Sequence, residues 1–280
     1  MRTPRVAAIH DMSGFGRCSL TVAIPVLSAM GLQCCPLPTA FLSTHTGGFE
    51  GFSFLDMTDE MPRVAAHWGT LDLGFQCIYS GFLGSERQIR IVSDFIREFR
   101  QPDTVVVVDP VMGDHGQVYQ TYTPAMCEGM AHLAEQADVI VPNLTEAALL
   151  LGIPYESLPQ GESGCMEIVE RLSLEGRRSV VLTGASSSPE LTGAMCFDAV
   201  SGHTKNIQVR RVPREFYGTG DVFASVLAGA LVKGRTLPEA TRQAVEFVRA
   251  CAERTAEQKL PIREGVDFEP LLGLLTGRNN

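Results

Sequence analysis

Four consecutive valines, Val105–Val108, run straight into Asp109-Pro110. β-branched side chains favour extended backbone, and an unbroken apolar run of this kind has no face to give to water. Such a strand must be covered on both sides, which calls for helices above and below a parallel sheet. With its flanks this strand is expected over Thr104–Asp109. Similar short apolar runs lie at Val6–His10, Cys34–Phe41, Phe75–Ser80, Val139–Pro142, Ser179–Thr183, Ala194–Asp198 and Ile207–Val212. Helical patterns fall between them, at Leu20–Met30, Glu86–Arg100, Pro124–Gln136, Thr145–Leu151, Glu162–Glu175, Asp221–Lys233 and Pro238–Ala256. Strand, helix and strand repeated in this way build right-handed crossovers. No linker-like shift, internal repeat or low-complexity tract divides the chain. We expect one domain over residues 1–280, an α/β fold with a mostly parallel central sheet in a three-layer α/β/α sandwich.

Composition excludes several classes of function. The chain carries 23 basic and 32 acidic residues, a net charge of −9, with no basic patch that would suit a nucleic acid. No apolar stretch approaches the roughly 18 residues that cross a bilayer, and the start of the chain leads directly into a strand-like run. A cytoplasmic protein without nucleic-acid or membrane partners is expected. The eight cysteines form no CxxC pair, and only Cys34 and Cys35 are close in sequence, so reduced and mostly buried thiols are expected.

In sheets of this type ligands bind beyond the carboxyl ends of the strands, so the chemistry belongs in the strand-to-helix turns. The first turn, His10 to Ser19, contains Gly14-x-Gly16. A dinucleotide fingerprint would need a third glycine where Ser19 stands, and an acidic residue about 20 positions later. The next acidic residue is Glu50, so a nicotinamide site is disfavoured. No phosphate-loop lysine follows a glycine-rich turn either. Asp109 and Asp114 leave the valine strand five residues apart, a pattern suited to a metal or a phosphate chain. Asn143 and Glu146 open a helix; a capped helix start explains that spacing as well as a ligand does. The turn Tyr217-Gly218-Thr219-Gly220-Asp221 is more telling. Its two glycines let amides converge on one point at a helix N-terminus, which makes an anion hole, and a simple cap needs neither.

The Gly218-Thr219-Gly220-Asp221 turn resembles the anion-hole and base motif of the ribokinase-like small-molecule kinases. Asn143-Leu144-Thr145-Glu146 resembles their N-x-x-E motif. Within that superfamily the chain is similar to the vitamin B6 (pyridoxal/pyridoxine/pyridoxamine) kinases from about residue 5 to residue 255. Asp109-Pro110-Val111-Met112-Gly113-Asp114, with Gly116 and Tyr119, resembles their D-P-V-M-G-D-x-G-x-x-Y segment. Thr39 to Thr46 resembles T-x-x-x-S-N-H-T, with Thr44 departing from the usual Asn. Tyr79-Ser80-Gly81-Phe82-Leu83-Gly84 resembles their T-G-Y-L-G turn, and Val181-Leu182-Thr183 a strand end near the nucleotide phosphates. The hydroxymethylpyrimidine kinases of thiamine biosynthesis are a sister group. Asp11-Met12-Ser13-Gly14 leans towards them, whereas His45, Gly113-Asp114 and Asp221 lean towards the B6 kinases.

The resemblance implies transfer of a γ-phosphoryl group from ATP to the 5′-hydroxymethyl group of a B6 vitamer, with the pyrimidine as the alternative acceptor. It implies Asp221 as the base, with Gly218, Thr219 and Gly220 as the anion hole. Ser13, Thr39, His45, Thr46 and Tyr79 are implied at the vitamer. Asp109, Asp114, Asn143, Glu146, Thr183, Val212 and Thr219 are implied at the nucleotide. Asp109 and Glu146 are the implied Mg²⁺ residues, and His115 and Tyr119 belong to an implied lid. A homodimer is implied as well, and the need for a monovalent cation stays open.

Overall fold

The valine strand does lie between two helical layers: Val107 packs into one apolar core, Val106 and Val108 into the other. The computed structural model describes residues 2–276. From the N-terminus its elements are β1 (Arg5–Ser13), α1 (Ser19–Ala29), β2 (Gln33–Leu42), β3 (Phe54–Asp56), α2 (Met61–Gly69), β4 (Cys77–Ser80) and α3 (Glu86–Phe99). The centre of the chain adds β5 (Val105–Val108), a small hairpin of β6 (Gly113–Asp114) and β7 (Gln117–Val118), α4 (Pro124–Ala134), β8 (Val139–Ile140), α5 (Leu144–Leu151) and α6 (Gly161–Leu172). The last part contributes β9 (Ser179–Thr183), β10 (Leu191–Asp198), β11 (His203–Arg210), α7 (Thr219–Val232) and α8 (Leu237–Gln258), then two short 3₁₀ turns, Ile262–Glu264 and Glu269–Leu275.

Nine strands form one sheet in the order β11-β10-β9-β8-β5-β4-β1-β2-β3. The six from β9 to β2 in that order are parallel, and their carboxyl ends share one edge. Helices α1, α7 and α8 cover one face, and α2 to α6 cover the other. Strand alternation assigns the side chains: Val6, Ala8, Cys77 and Tyr79 enter the α7 layer, while Ala7, Ile9 and Ile78 enter the opposite one. Helix α7 is buried along most of its length, from Val222 to Ala230, which explains its nearly uniform apolar sequence.

The strand–helix alternation expected along the whole chain stops at β9. Strands β9, β10 and β11 follow one another as an antiparallel meander with no helix between them. Edge strand β3 pairs antiparallel with β2, Phe41 opposite Leu55. β3, α2 and the β6–β7 hairpin were not expected from the sequence. Among the described residues no helix is long and apolar enough to cross a membrane, and all eight cysteines are free.

The residues after α8 fold back onto the first turn. Arg17 donates from Nε to Glu269 at 2.8 Å and from Nη2 to Asp267 at 3.1 Å, and Arg254 holds the other oxygen of Asp267 at 2.7 Å. The carbonyl of Glu264 accepts from the Arg17 amide. This clamp ties the beginning of the chain to its end, beside the cleft described next.

Candidate active site

Above the carboxyl edge of the parallel strands lies a cleft of about 940 Å³. Each strand end contributes to it for a local reason. Helix α7 begins at Gly218, whose φ of 76° belongs to the left-handed region where a side chain is strained. That turn sets the first residues of α7 on the cleft wall, and the helix itself offers their amides no partner. Asp221 sits in the first turn among those amides. Burial pushes its carboxyl up to about 7, the Ser19 amide facing it pulls the other way, and the Asp11 charge adds to the rise.

Beyond β5, Asp109 lies on the cleft wall and is only 8% exposed. Burial, and then the charge of Asp221, raise its carboxyl well above the ordinary range. Glu146 behaves alike, through burial and then the charge of Asp109. Two buried carboxylates, Asp109 and Glu146, thus share the cleft with the half-buried Asp221. They fit a divalent cation, which prefers oxygen donors and would relieve their mutual repulsion. Among the described residues no three His, Cys, Asp or Glu side chains converge tightly enough to hold a metal alone. An ion bound there would complete its shell with phosphate oxygens or water. The cleft is lined as well by Arg210, Arg211, Arg214 and Arg249.

The capping expected for Asn143 and Glu146 is present in full. Asn143 Oδ1 accepts from the Glu146 amide at 2.9 Å, and Glu146 Oε2 accepts from the Asn143 amide at 2.8 Å. The pair does more than cap. Glu146 Oε1 also accepts from the Met112 amide, Asn143 Nδ2 donates to the Gly113 carbonyl, and Thr145 Oγ1 accepts from the Gly116 amide. The start of α5 therefore pins the β6–β7 hairpin over the cleft at both its base and its tip. His115 and Gly116 form its two-residue tip, both with positive φ, as a type I′ turn requires. His115 Nε2 lies 3.4 Å from Glu215 on the loop before α7, so the tip reaches the opposite loop. Tyr119 lines the cleft beneath it.

The structure gathers Asp109, Asp114, His115, Tyr119, Asn143, Glu146, Thr183, Val212, Gly218, Thr219, Gly220 and Asp221 around this one cleft. The five residues expected at the vitamer do not line it. Ser13 is buried and donates to Asp11, and Thr39 is buried with its hydroxyl towards the Phe82 carbonyl. His45 spends both ring nitrogens on the main chain: Nδ1 accepts from the Gly47 amide and Nε2 lies 2.7 Å from the Arg263 carbonyl. Thr46 lines a separate, smaller cleft with Gly48, Phe49, Glu50 and Arg263. His45 and the first turn nevertheless sit together beside the main cleft, joined by Tyr217, whose ring is 5.3 Å from that of His45.

Tyr79 is the clearest correction. It is fully buried, edge-on to His10, because strand alternation turns residue 79, like Cys77, to the face that α7 covers. The aromatic of that turn that reaches the cleft is Phe82. Sequence reasoning also passed over Ser19 and the arginines of β11 and α8. Strand phase counted from Cys77 exposes the first error; Ser19 gave no signal, since its place depends on a bend in β1.

A glycine-opened helix N-terminus and a set of carboxylates beyond a parallel sheet define a small-molecule kinase of the ribokinase-like fold. The chain belongs to the phosphomethylpyrimidine kinase family, whose model matches residues 23–266. It is 30% identical to the pyridoxine/pyridoxal/pyridoxamine kinase of Bordetella avium, covering 92% of this chain and 90% of that one. It is also similar to a candidate phosphomethylpyrimidine kinase of Bacteroides thetaiotaomicron in a crystal form with pyridoxal. That likeness has 43% identity and a TM-score of 0.92, covering 98% of this chain and 96% of that one. The pyridoxal kinase of Lactobacillus plantarum superposes with a TM-score of 0.90 at 33% identity, over 98% of this chain and 97% of that one.

Proposed function

We propose that this protein transfers the γ-phosphoryl group of ATP to the 5′-hydroxymethyl group of a B6 vitamer: pyridoxal, pyridoxine or pyridoxamine. The observation that carries this reading is the position of Asp221. A carboxyl pushed to about 7 stands in the first turn of α7, on the wall of the cleft beside Gly218, Thr219 and Gly220. A base works best when its pKa is near the working pH, and the adjoining amides suit the charge that grows on the transferred group. Asp221 would take the hydroxyl proton as the oxygen attacks. The amides of Thr219 and Gly220 would meet the phosphoryl oxygens. Phe82 offers a face for the pyridine ring, and the arginines lining the cleft suit the nucleotide.

Mg²⁺ would lie near Asp109 and Glu146, where it would neutralise phosphate charge. Helix α5 would keep Glu146 and the hairpin in register with it. We also place the protein in the cytoplasm, where its unpaired thiols would stay reduced, and as a homodimer. The exposed edge carrying Phe41, Phe54 and Leu55 is an apolar surface that a second copy would cover.

A coupled kinase assay with the three vitamers and hydroxymethylpyrimidine side by side tests the reading. At least one vitamer should have a higher kcat/KM than the pyrimidine. A clear preference for the pyrimidine would replace this reading with the thiamine-pathway one, which the family's name favours.

A further inference from the structure

Asp11 is a buried carboxylate beside the cleft, 7% exposed, for which phosphoryl transfer as described has no use. The pairing of β1 with β2 slips between His10 and Met12, and that irregularity re-aims residue 11 out of the strand's regular alternation. Both oxygens of Asp11 are gripped by hydroxyls on either side of the following loop, at the end of β1 and the start of α1. Ser19 Oγ donates to Oδ1 at 2.6 Å, and Ser13 Oγ donates to Oδ2 at 3.1 Å. This is not a helix cap, since Cys18 occupies the cap of α1 and Asp11 lies seven residues before it, with its oxygens on hydroxyls rather than on amides of the helix.

Ser19 is held with φ at 51°, a conformation non-glycine residues keep only when their surroundings impose it. In that conformation it lines the same cleft as Asp221, and the residues just before it, Arg17 and Cys18, pack against Gly218 at the start of α7. At the other end of the same loop, Ser13 precedes Gly14, whose amide donates to the Leu42 carbonyl at the end of β2.

We propose that Asp11 is a positioning residue for catalysis: by gripping Ser13 and Ser19 together it sets the first turn against the start of α7, where Asp221 stands. The inference rests on the kinase reading of the site. Keeping a charge here has a cost, since burial raises the Asp11 carboxyl while the Ser19 and Ser13 hydroxyls pull it back. A purely structural loop would do as well with an apolar residue of similar volume.

The test compares wild type, Asp11→Ala, Asp11→Asn, Ser19→Ala and the Asp11→Ala/Ser19→Ala double variant, with pyridoxal and ATP as substrates. Misplacing a reacting group by a fraction of an ångström is costly, so Asp11→Ala should lower kcat at least about tenfold. Its KM for ATP should stay within about twofold, because no part of the nucleotide site changes. Asp11→Asn, which keeps one acceptor, should recover part of kcat. The double variant should be no worse than Asp11→Ala alone, since both act through one contact. A wild-type kcat per folded molecule in Asp11→Ala, with only the melting temperature lowered, would overturn the proposal; so would additive losses in the double variant. If Asp11→Ala does not fold, Ser19→Ala decides: it must lower kcat on its own, and an unchanged kcat ends the idea. Wild type that phosphorylates the pyrimidine and not pyridoxal would sink the vitamer reading alone, and the same variants would then be compared on the pyrimidine. Wild type inactive on both would overturn the two together.

Discussion

A Cβ placed on Gly218 would lie 1.9 Å from the carbonyl oxygen of Arg17. The anion turn and the first turn therefore meet backbone to backbone, with no space for a side chain between them. At Gly220, two residues on, an added Cβ would meet nothing within 4 Å. The two glycines of one motif have different reasons to exist. Gly218 is demanded by the fold, whereas Gly220 keeps open a space that the phosphoryl group would occupy.

Substitution separates them. Gly218→Ala combines a clash with an unfavourable φ, and should cost at least roughly 1–3 kcal/mol of stability. Gly220→Ala lies in a helical first turn and should stabilise by roughly 0.5–1 kcal/mol while sharply lowering kcat. Thermal melts and steady-state kinetics on both variants check this. Full activity in Gly220→Ala would mean that no substrate group approaches that amide.

Asp221→Asn should lower kcat by about 10²–10⁴, the usual worth of a general base. It should also make the protein more stable, and the sign follows from linkage. The folded carboxyl titrates near 7 against 3.8 for the ordinary group. Between those values the folded state keeps a proton the unfolded chain has lost, so wild-type stability falls as pH rises through the window. Asn has no such loss. The gain should be on the order of 1–3 kcal/mol at pH 8 and vanish near pH 4. Urea unfolding at both pH values measures it, and an equal gain at both would show that the rise in Asp221 is not its source.

Glu146→Gln tests whether the cap also serves a metal. Each oxygen of Glu146 accepts a main-chain amide, so Gln must lose one of those bonds, at roughly 1 kcal/mol. Removing a buried charge next to Asp109 offsets that loss, and the melting temperature should change little. The Mg²⁺ concentration for half-maximal rate should rise about tenfold or more. An unchanged Mg²⁺ dependence would leave Glu146 as a cap alone.

Phe82→Ala should raise the KM for the vitamer about tenfold and leave that for ATP unchanged, since stacked aromatic contacts contribute about 0.5–1.5 kcal/mol beyond area. A shift in the ATP KM instead would move the ring site away from Phe82.

Much of this architecture was legible in local pattern. The valine run required a covered strand, and the glycines flanking Thr219 marked the turn that opens α7 at the cleft. What escaped was set by tertiary packing. Strands β10 and β11 read like the parallel ones because apolar content does not encode direction. Edge strand β3 has three residues, all exposed, and gives no alternation to detect. Tyr79 and Phe82 are three apart, and only the place where β4 ends decides which of them reaches the cleft: Tyr79 is still within the covered strand and Phe82 is beyond it. His45 looked free for substrate because its partners, the Gly47 amide and the Arg263 carbonyl, are main-chain groups that no motif records.

The clamp between Arg17 and Asp267 joins residues 250 positions apart. It has a consequence for the order in which activity is acquired during synthesis. When Asp221 and its glycines have left the ribosome, the groups that will hold Arg17 and His45 have not yet been made. A nascent chain stalled before residue 261 should therefore carry a complete parallel sheet and an open first turn, cut readily by protease near Gly14 and Gly16. Turnover would begin only once Asp267 and Glu269 had joined the fold, so a chain stalled short of them would not consume ATP.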